Sequence, residues 1–155
     1  MTKTLLLALA AAGLLAHAPA QAGEASLTSA VFKEAESKGP DGRATMARKP
    51  AARVTPGDQV VYVLTYHNGG DKPAEWVVVT NPLAANLVYA GPADAMPPQV
   101  SVDGQTFGPL ATLTKTSAGV AAKAVAADVT ALRWTLAQPV PAGGEVQLSF
   151  RARLK

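Results

Sequence analysis

The chain has 155 residues, a formal net charge of +3 and no cysteine. Thiol ligands and disulfide bonds are therefore excluded, and the basic residues are spread along the chain instead of forming the dense patch of a nucleic-acid surface. We expect neither a nucleic-acid partner nor a cofactor. A chain of this length can bury enough surface to fold without a metal.

The first 22 residues have the order of a cleaved secretion signal. Lys3 precedes an apolar run over residues 5–16, and Ala20-Gln21-Ala22 provides a small-residue cleavage site. Because this run is shorter than the roughly 20 residues that span a bilayer, we expect it to be removed. The mature chain is predicted to be exported, either to the periplasm or to the cell surface, without a membrane span.

Residues 23–52 are predicted to form an N-terminal strand and an irregular edge segment of the same domain whose body spans residues 53–155. The strand covers residues 26–36, with Leu27 and Val31 inward. Turn signals at residues 39–42, together with Pro50, predict a long irregular crossing over residues 37–56. A short edge strand is expected within it, near residues 51–54.

Alternating apolar residues predict the central strands. In residues 59–68 the face with Val60 and Leu64 alternates with a second face, and residues 75–80 follow with Val77 and Val79 inward. Asn81-Pro82 is expected to end that strand. Short strands over residues 86–90 and 99–103, an Asp-Gly hairpin signal at residues 103–104 and a weaker strand over residues 110–115 come next.

The C-terminal part contains the sharpest patterns. The alanine-rich residues 117–128 are predicted to be a loop, residues 131–136 form a strand, and residues 145–155 alternate an apolar row with a polar row. About seven to nine short strands separated by turn residues predict an all-β, immunoglobulin-like β-sandwich. The predicted core comprises Val60, Tyr62, Leu64, Tyr66, Val77, Val79, Leu132, Trp134, Leu148 and Phe150.

Several local motifs over residues 53–155 are shared with a known family. They are Pro56-Gly57-Asp58 before a strand, Tyr62, Asn68-Gly69 at a turn, the Val77/Val79 pair, and Trp134 before a Pro-Ala-Gly-Gly turn. In these motifs the chain resembles the bacterial "conserved repeat" family of immunoglobulin-like domains, catalogued as domain of unknown function eleven. The resemblance implies a sandwich fold and a structural or adhesive role at the cell surface. The sequence carries one copy and no internal repeat.

Candidate catalytic chemistry is sparse. His17 lies in the predicted signal, so His67 stands alone, and no nucleophile motif accompanies it and Asp71. The acidic residues fall mostly in turns, where turn chemistry explains them without a carboxylate pair. We therefore expect no catalytic, cofactor-binding or metal-binding residues. An isopeptide bond at Lys33 is not expected either, because the last strand contains no Asn or Asp.

Two features are candidates for partner contact. Trp76 alternates out of phase with its inward neighbours, so a partly exposed ring is predicted that could anchor a partner or a sugar face. The outward row Arg151, Arg153 and Lys155 carries three positive charges and no acid, and could meet an acidic partner or an anionic envelope surface.

These observations favour a non-catalytic exported module that acts by protein–protein contact in the cell envelope, in a structural, adhesive or accessory role. The first alternative is a periplasmic carrier of a small ligand or of copper. Copper carriage by an N-terminal ligand would require His17 to survive signal cleavage. The second alternative is an unrecognised enzyme.

Overall fold

The computed structural model describes residues 25–38 and 44–155. Two antiparallel sheets enclose one apolar core, so the fold is an all-β sandwich, as predicted. The predicted signal peptide and the turn signals at residues 39–42 lie outside the described residues. Within the described ranges, no helix is both long and apolar enough to cross a membrane.

The described residues form ten strands and two short 3₁₀ turns, the latter at Leu110–Thr112 and Ala126–Asp128. In chain order the strands are β1 (Ser26–Lys38), β2 (Ala44–Pro50), β3 (Gln59–His67), β4 (Val78–Pro82), β5 (Leu87–Pro92), β6 (Gln99–Ser101), β7 (Thr114–Ser117), β8 (Val120–Lys123), β9 (Ala131–Thr135) and β10 (Glu145–Leu154).

The larger sheet has the strand order β2-β1-β3-β10-β5. Strands β3 and β10 lie at its centre because both carry long alternating apolar rows, and their register places Leu64 opposite Leu148 and Tyr62 opposite Phe150. The rings of Tyr62 and Phe150 stack with centroids 5.1 Å apart. These inward rows form one wall of the core.

The smaller sheet has the order β4-β9-β6 and forms the opposite wall. Its strand β9 buries Leu132 and Trp134, and β4 buries Val79 between its two exposed neighbours. The indole N–H of Trp134 donates to the carbonyl of Met96 at 3.0 Å, which satisfies the ring's polar atom at the edge of the core. Strands β7 and β8 form a separate hairpin.

The predicted core residues all pack in the core cluster. Seven are fully buried, namely Val60, Leu64, Val79, Leu132, Trp134, Leu148 and Phe150, while Tyr62, Tyr66 and Val77 are partly buried against them. Short strands and loops add further buried residues to this cluster, among them Leu87, Tyr89, Val100, Leu113 and Val140.

The predicted irregular crossing over residues 37–56 is wrong. Strand β2 pairs with the second half of β1 over Phe32–Lys38, whereas residues 51–54 form no strand. Pro50 suggested a break, yet it ends an edge strand. The N–H of Ala51 donates to the carbonyl of Val31, so the backbone nitrogen of Pro50 faces the free edge, where no donor is needed.

The predicted loop over residues 117–128 is also wrong. Ala118 and Gly119 both have positive φ, 49° and 79°, which is the geometry of a two-residue hairpin turn, and they join β7 to β8. Asp128 ends the segment in a 3₁₀ turn by accepting the N–H of Val125. All eight residues of β7 and β8 are exposed, so an apolar stripe could not have revealed them.

Candidate interaction surface

Trp76 lies in an interruption of the pairing between β4 and β9. Ala74 and Val140 exchange backbone hydrogen bonds on one side, and Leu136 donates to Val77 on the other. Two residues of one segment, Glu75 and Trp76, therefore lie opposite three of its partner, so the extra residue of this bulge belongs to residues 137–139. A bulge interrupts the regular ladder and can re-aim the side chains next to it. The predicted strand over residues 75–80 consequently begins at Val78.

The bulge holds Trp76 outward in a strained backbone. Its side chain is 85 % exposed, more than any other large apolar residue in the described chain, and its φ is +56°. A bulky residue in this left-handed region is an outlier, and such strain costs on the order of 1–3 kcal/mol. Strain of this kind clusters at functional sites, where the surrounding structure enforces it.

Asn68 fixes the segment beneath the bulge. This residue is buried, and its side-chain amide donates to the carbonyls of Lys72, Val140 and Pro141 at 2.8–3.1 Å. Its own backbone exchanges hydrogen bonds with Gly143 and Gly144. The loop around Trp76 is therefore anchored to the end of β3, which orients the exposed indole before any partner arrives.

Two shallow apolar hollows flank the turn at residues 137–139. The first, of about 240 Å³, is lined by Trp76, Glu75 and residues 136–139. The second, of about 150 Å³, is also lined by residues 136–139 and has Met96 and Val146 in its wall. We call Trp76 and these two hollows the tryptophan surface. An exposed aromatic ring beside apolar hollows is typical of a binding anchor.

The predicted cationic row of β10 contacts an acidic residue of another strand. Arg151 forms a two-pronged pair with Glu34 from β1, at 2.9 and 2.7 Å, and also donates to the carbonyl of Pro92 at 2.6 Å. The hydrogen bond from Arg151 lowers the pKa of Glu34, and that of Arg151 rises in return. Lys155 donates to the carbonyl of Ala85, and Arg153 is exposed.

The three cations therefore have different roles. Strand β10 lies between β3 and β5, so its outward charges do not protect a sheet edge. Arg151 instead ties the β1–β2 hairpin and the end of β5 to the outer face of the large sheet. That attachment accompanies the burial of Val61 and Ser149 on this outer face.

A larger cleft, of about 470 Å³, opens on the same outer face. Its walls include Arg48 of β2, Met96 and Val63, and its floor holds Ser149 hydrogen-bonded to Asp94 at 2.6 Å. Arg48 reaches across to the carbonyl of Ala93 at 2.7 Å. Polar and apolar groups thus share a cleft of the size that small-ligand sites have.

The cleft does not assemble a nucleophile with a base. His67, the one histidine in the described residues, faces Glu145 with Nδ1 and Oε1 3.6 Å apart. Ser149 lies four residues farther along β10, which corresponds to about 13 Å of strand, too far for proton transfer from its hydroxyl. Across the described ranges, no group of three His, Cys, Asp or Glu side chains could hold a metal ion.

Lys33, considered above for an isopeptide bond, forms an ion pair. Its Nζ lies 2.6 Å from Oδ2 of Asp58, and both side chains keep solvent contact. Asp58 also accepts from the backbone and the hydroxyl of Thr55, so it closes the turn before β3. The partner comes from a turn and not from the last strand.

Comparison with known proteins finds no match to a family model, to a curated protein or to a solved structure. The resemblance to the conserved-repeat family therefore stays a prediction from the motifs.

Sequence reasoning placed Trp76 at the surface but missed the residues around it. Gln138 and Pro139 belong to no binding motif, and Met96 stands in a proline-rich loop without periodicity. No local signal links Glu34 to Arg151, because they lie at opposite ends of the described chain. The bulge itself left no sign in the sequence, because Trp76 and the residues up to Val79 alternate between exposed and more buried positions as in a regular strand.

Proposed function

We propose that this chain is a non-catalytic, exported β-sandwich module that acts by protein–protein contact in the cell envelope. Trp76 carries the proposal. The indole is 85 % exposed, and contact of its apolar surface with water is unfavourable, while its left-handed backbone costs further free energy. A structural role alone does not compensate for these two costs. Binding a partner would bury the ring and recover part of that free energy.

Export and the envelope location rest on the N-terminal signal pattern and on the resemblance to cell-surface repeats. Purification of the exported chain followed by N-terminal sequencing tests the signal. We expect the mature chain to start at Gly23. A chain that retains Met1 and stays with the cytosolic fraction would contradict the location.

Site-specific photo-cross-linking tests the contact. A photoreactive side chain at position 76 is expected to capture one defined protein of the envelope in the source cells. The matched control carries the same group at Val120, which is 69 % exposed on the separate hairpin. Equal background products at both positions would contradict the proposed contact through Trp76.

The role of the cationic row is proposed for Arg153 in particular. Its side chain is exposed on the outer face, whereas Arg151 is held by Glu34. If the row binds an acidic partner, Arg153→Gln should weaken partner capture at low salt while leaving unfolding unchanged. Replacement of Lys123, which is exposed on the hairpin, is the matched control.

Carriage of a small ligand is the second candidate function, favoured by the 470 Å³ cleft at Arg48. A guanidinium beside Met96 and Val63 suits an organic anion with an apolar body. Binding of the amphipathic anion 8-anilinonaphthalene-1-sulfonate should then weaken in Arg48→Gln and persist in Trp76→Ala. The opposite order of effects would assign the probe to the tryptophan surface and remove this candidate.

A further inference from the structure

Among the described residues, the inner face of the large sheet is partly uncovered at the start of β1. On the inner face of the large sheet, Leu27 of β1 lies in register with Tyr66 of β3, which in turn is opposite Val146 of β10. The apolar pattern of the sequence therefore directs Leu27 inward, as predicted. Nevertheless Leu27 is 46 % exposed, so the described strands leave the start of β1 partly uncovered.

The nearest strand of the small sheet, β4, has an open edge. Leu136 donates to Val77 and Leu83 donates to Thr130, so the odd-numbered residues of β4 pair with β9. In an antiparallel ladder the alternate residues direct their N–H and C=O groups the other way. Val78 and Thr80 therefore present backbone donors and acceptors away from β9, and no described strand pairs with them.

These two features meet in one cleft. A hollow of about 240 Å³ is lined on one side by Ala25, Ser26, Leu27 and Tyr66 and on the other by Val78, Val79 and Thr80. One wall is the uncovered apolar row and the other is the open edge. None of the seven lining residues is charged, so a charged side chain entering the cleft would lack a counter-charge from the lining.

We infer that this cleft accepts an extended segment of a partner chain, which pairs with β4 as an added strand. The inserted strand would bond to Val78 and Thr80 and place its apolar side chains against Leu27 and Tyr66. Main-chain pairing with a sheet edge combined with pockets for alternate side chains is a recurring mode of peptide recognition. The inference rests on the proposed function and adds the form of the partner.

The ends of the open edge limit the partner's length. At one end the left-handed backbone of Trp76 interrupts the strand, and at the other Pro82 occupies the next outward position and has no N–H to offer. Between them, Val78 and Thr80 can form a ladder with a segment of about five residues. The bound segment should therefore be short, uncharged at its centre and alternately apolar.

Amide hydrogen exchange on the folded chain tests the inference with a defined probe. The probe is a blocked heptapeptide that alternates valine and threonine between terminal lysines, and the control peptide carries proline at the central position. At a peptide concentration ten times its dissociation constant, exchange at Val78 and Thr80 should slow about tenfold. The control peptide should not slow it.

Two matched variants locate the site. Leu27→Glu places a charge in the cleft and should abolish the slowing, whereas Val120→Glu, at an exposed residue of the hairpin, should leave it intact. Exchange at core amides of β3 and β10 verifies that both variants are folded. Both substitutions add one negative charge, so a general effect of charge would change the slowing of exchange equally in the two variants.

Three outcomes overturn the inference. In the first, millimolar peptide leaves exchange at Val78 and Thr80 unchanged, and in the second, the two variants have equal effects on exchange. In the third, exchange slows as the protein concentration rises in the absence of peptide, which would assign the edge to a second copy of this chain. If cross-linking at position 76 succeeds while the peptide fails, the proposed function stands and the added-strand inference falls. If the peptide binds while cross-linking fails, contact through Trp76 falls instead.

Discussion

At the scale of single residues, the two tryptophans occupy opposite environments. Trp134 is 2 % exposed and packs 6.1 Å from Phe150, centroid to centroid, whereas Trp76 is 85 % exposed. Trp134→Ala should lower the free energy of unfolding by about 3–5 kcal/mol, because it leaves a cavity in the core. Trp76→Ala should cost much less. Urea unfolding of both variants measures the difference, and equal losses would contradict the assignment of the faces.

The backbone of Trp76 gives a second prediction. Glycine adopts positive φ without the steric penalty of a side chain. Trp76→Gly should therefore be more stable than Trp76→Ala by about 1 kcal/mol, although glycine normally weakens a strand. Urea unfolding compares the two variants, and Val78→Gly against Val78→Ala serves as the control at a neighbouring strand position. A less stable glycine at position 76 would remove the argument from backbone strain.

Asp58 predicts a pH dependence. Hydrogen bonds from Lys33 and from Thr55 lower its pKa from 3.8 to about 2. Because the folded value lies below the unfolded one, the ionised carboxylate stabilises the fold above pH 3.8, and this contribution disappears as the pH falls from 3.8 to about 2. In Asp58→Asn, stability should vary less over that interval.

Urea unfolding of the wild type and of Asp58→Asn at pH 6 and at pH 2 tests this prediction. The two proteins should differ more in stability at pH 6 than at pH 2. Asp71→Asn, in the exposed turn after β3, serves as the control. Parallel pH profiles for the wild type and Asp58→Asn would mean that the ion pair with Lys33 contributes nothing to folding.

At the scale of elements, the β7–β8 hairpin stands apart from the core. All its residues are exposed, and it is linked to the 3₁₀ turn that follows by the pair between Lys115 and Asp128, at 2.7 Å. Removing residues 115–122 and closing the strand ends with Asn-Gly should change the midpoint of thermal unfolding little, because an exposed ion pair contributes little to stability. Thermal unfolding measures the change. A large loss would show that the hairpin covers core surface.

Strands differed in how well the sequence predicted them, and burial explains the difference. Strands β3, β9 and β10 bury one face or both, so their composition must alternate or be apolar, and the sequence predicted each within a residue or two. Strands β2 and β8 lie at edges or in solvent, where no apolar row is required. Most of their residues are polar or alanine, so their sequences predict irregular segments.

The candidate surface was less predictable than the core for a related reason. Exposure of Trp76 followed from its phase, but the cleft beside β4 depends on how the described strands of the two sheets lie against each other. That information is a property of sheet order and is absent from the local pattern. Leu27 has the inward orientation of a core residue and yet is 46 % exposed, a combination that the local sequence does not reveal.

At the scale of the whole molecule, the two halves of the sandwich depend on contacts between remote parts of the chain. The hydrogen bond from Trp134 to Met96 and that from Ser149 to Asp94 both secure the loop between β5 and β6, which crosses from one sheet to the other. Arg151 joins this crossing to the N-terminal hairpin. Loss of a hydrogen bond in this network should therefore destabilise both sheets at the same time.

The central pairing of β3 with β10 also determines when the large sheet can form during synthesis. During synthesis β3 leaves the ribosome long before β10, and until then its inner row has no neighbour on that side, while β5 has no strand to pair with. Pairings between remote segments form slowly, because a long loop must close first. Nascent chains arrested before residue 147 should accordingly be digested rapidly by protease, whereas chains in which all of β10 has left the ribosome become resistant. The delay would keep the polypeptide unfolded, and therefore able to pass through a narrow channel, while it is being synthesised.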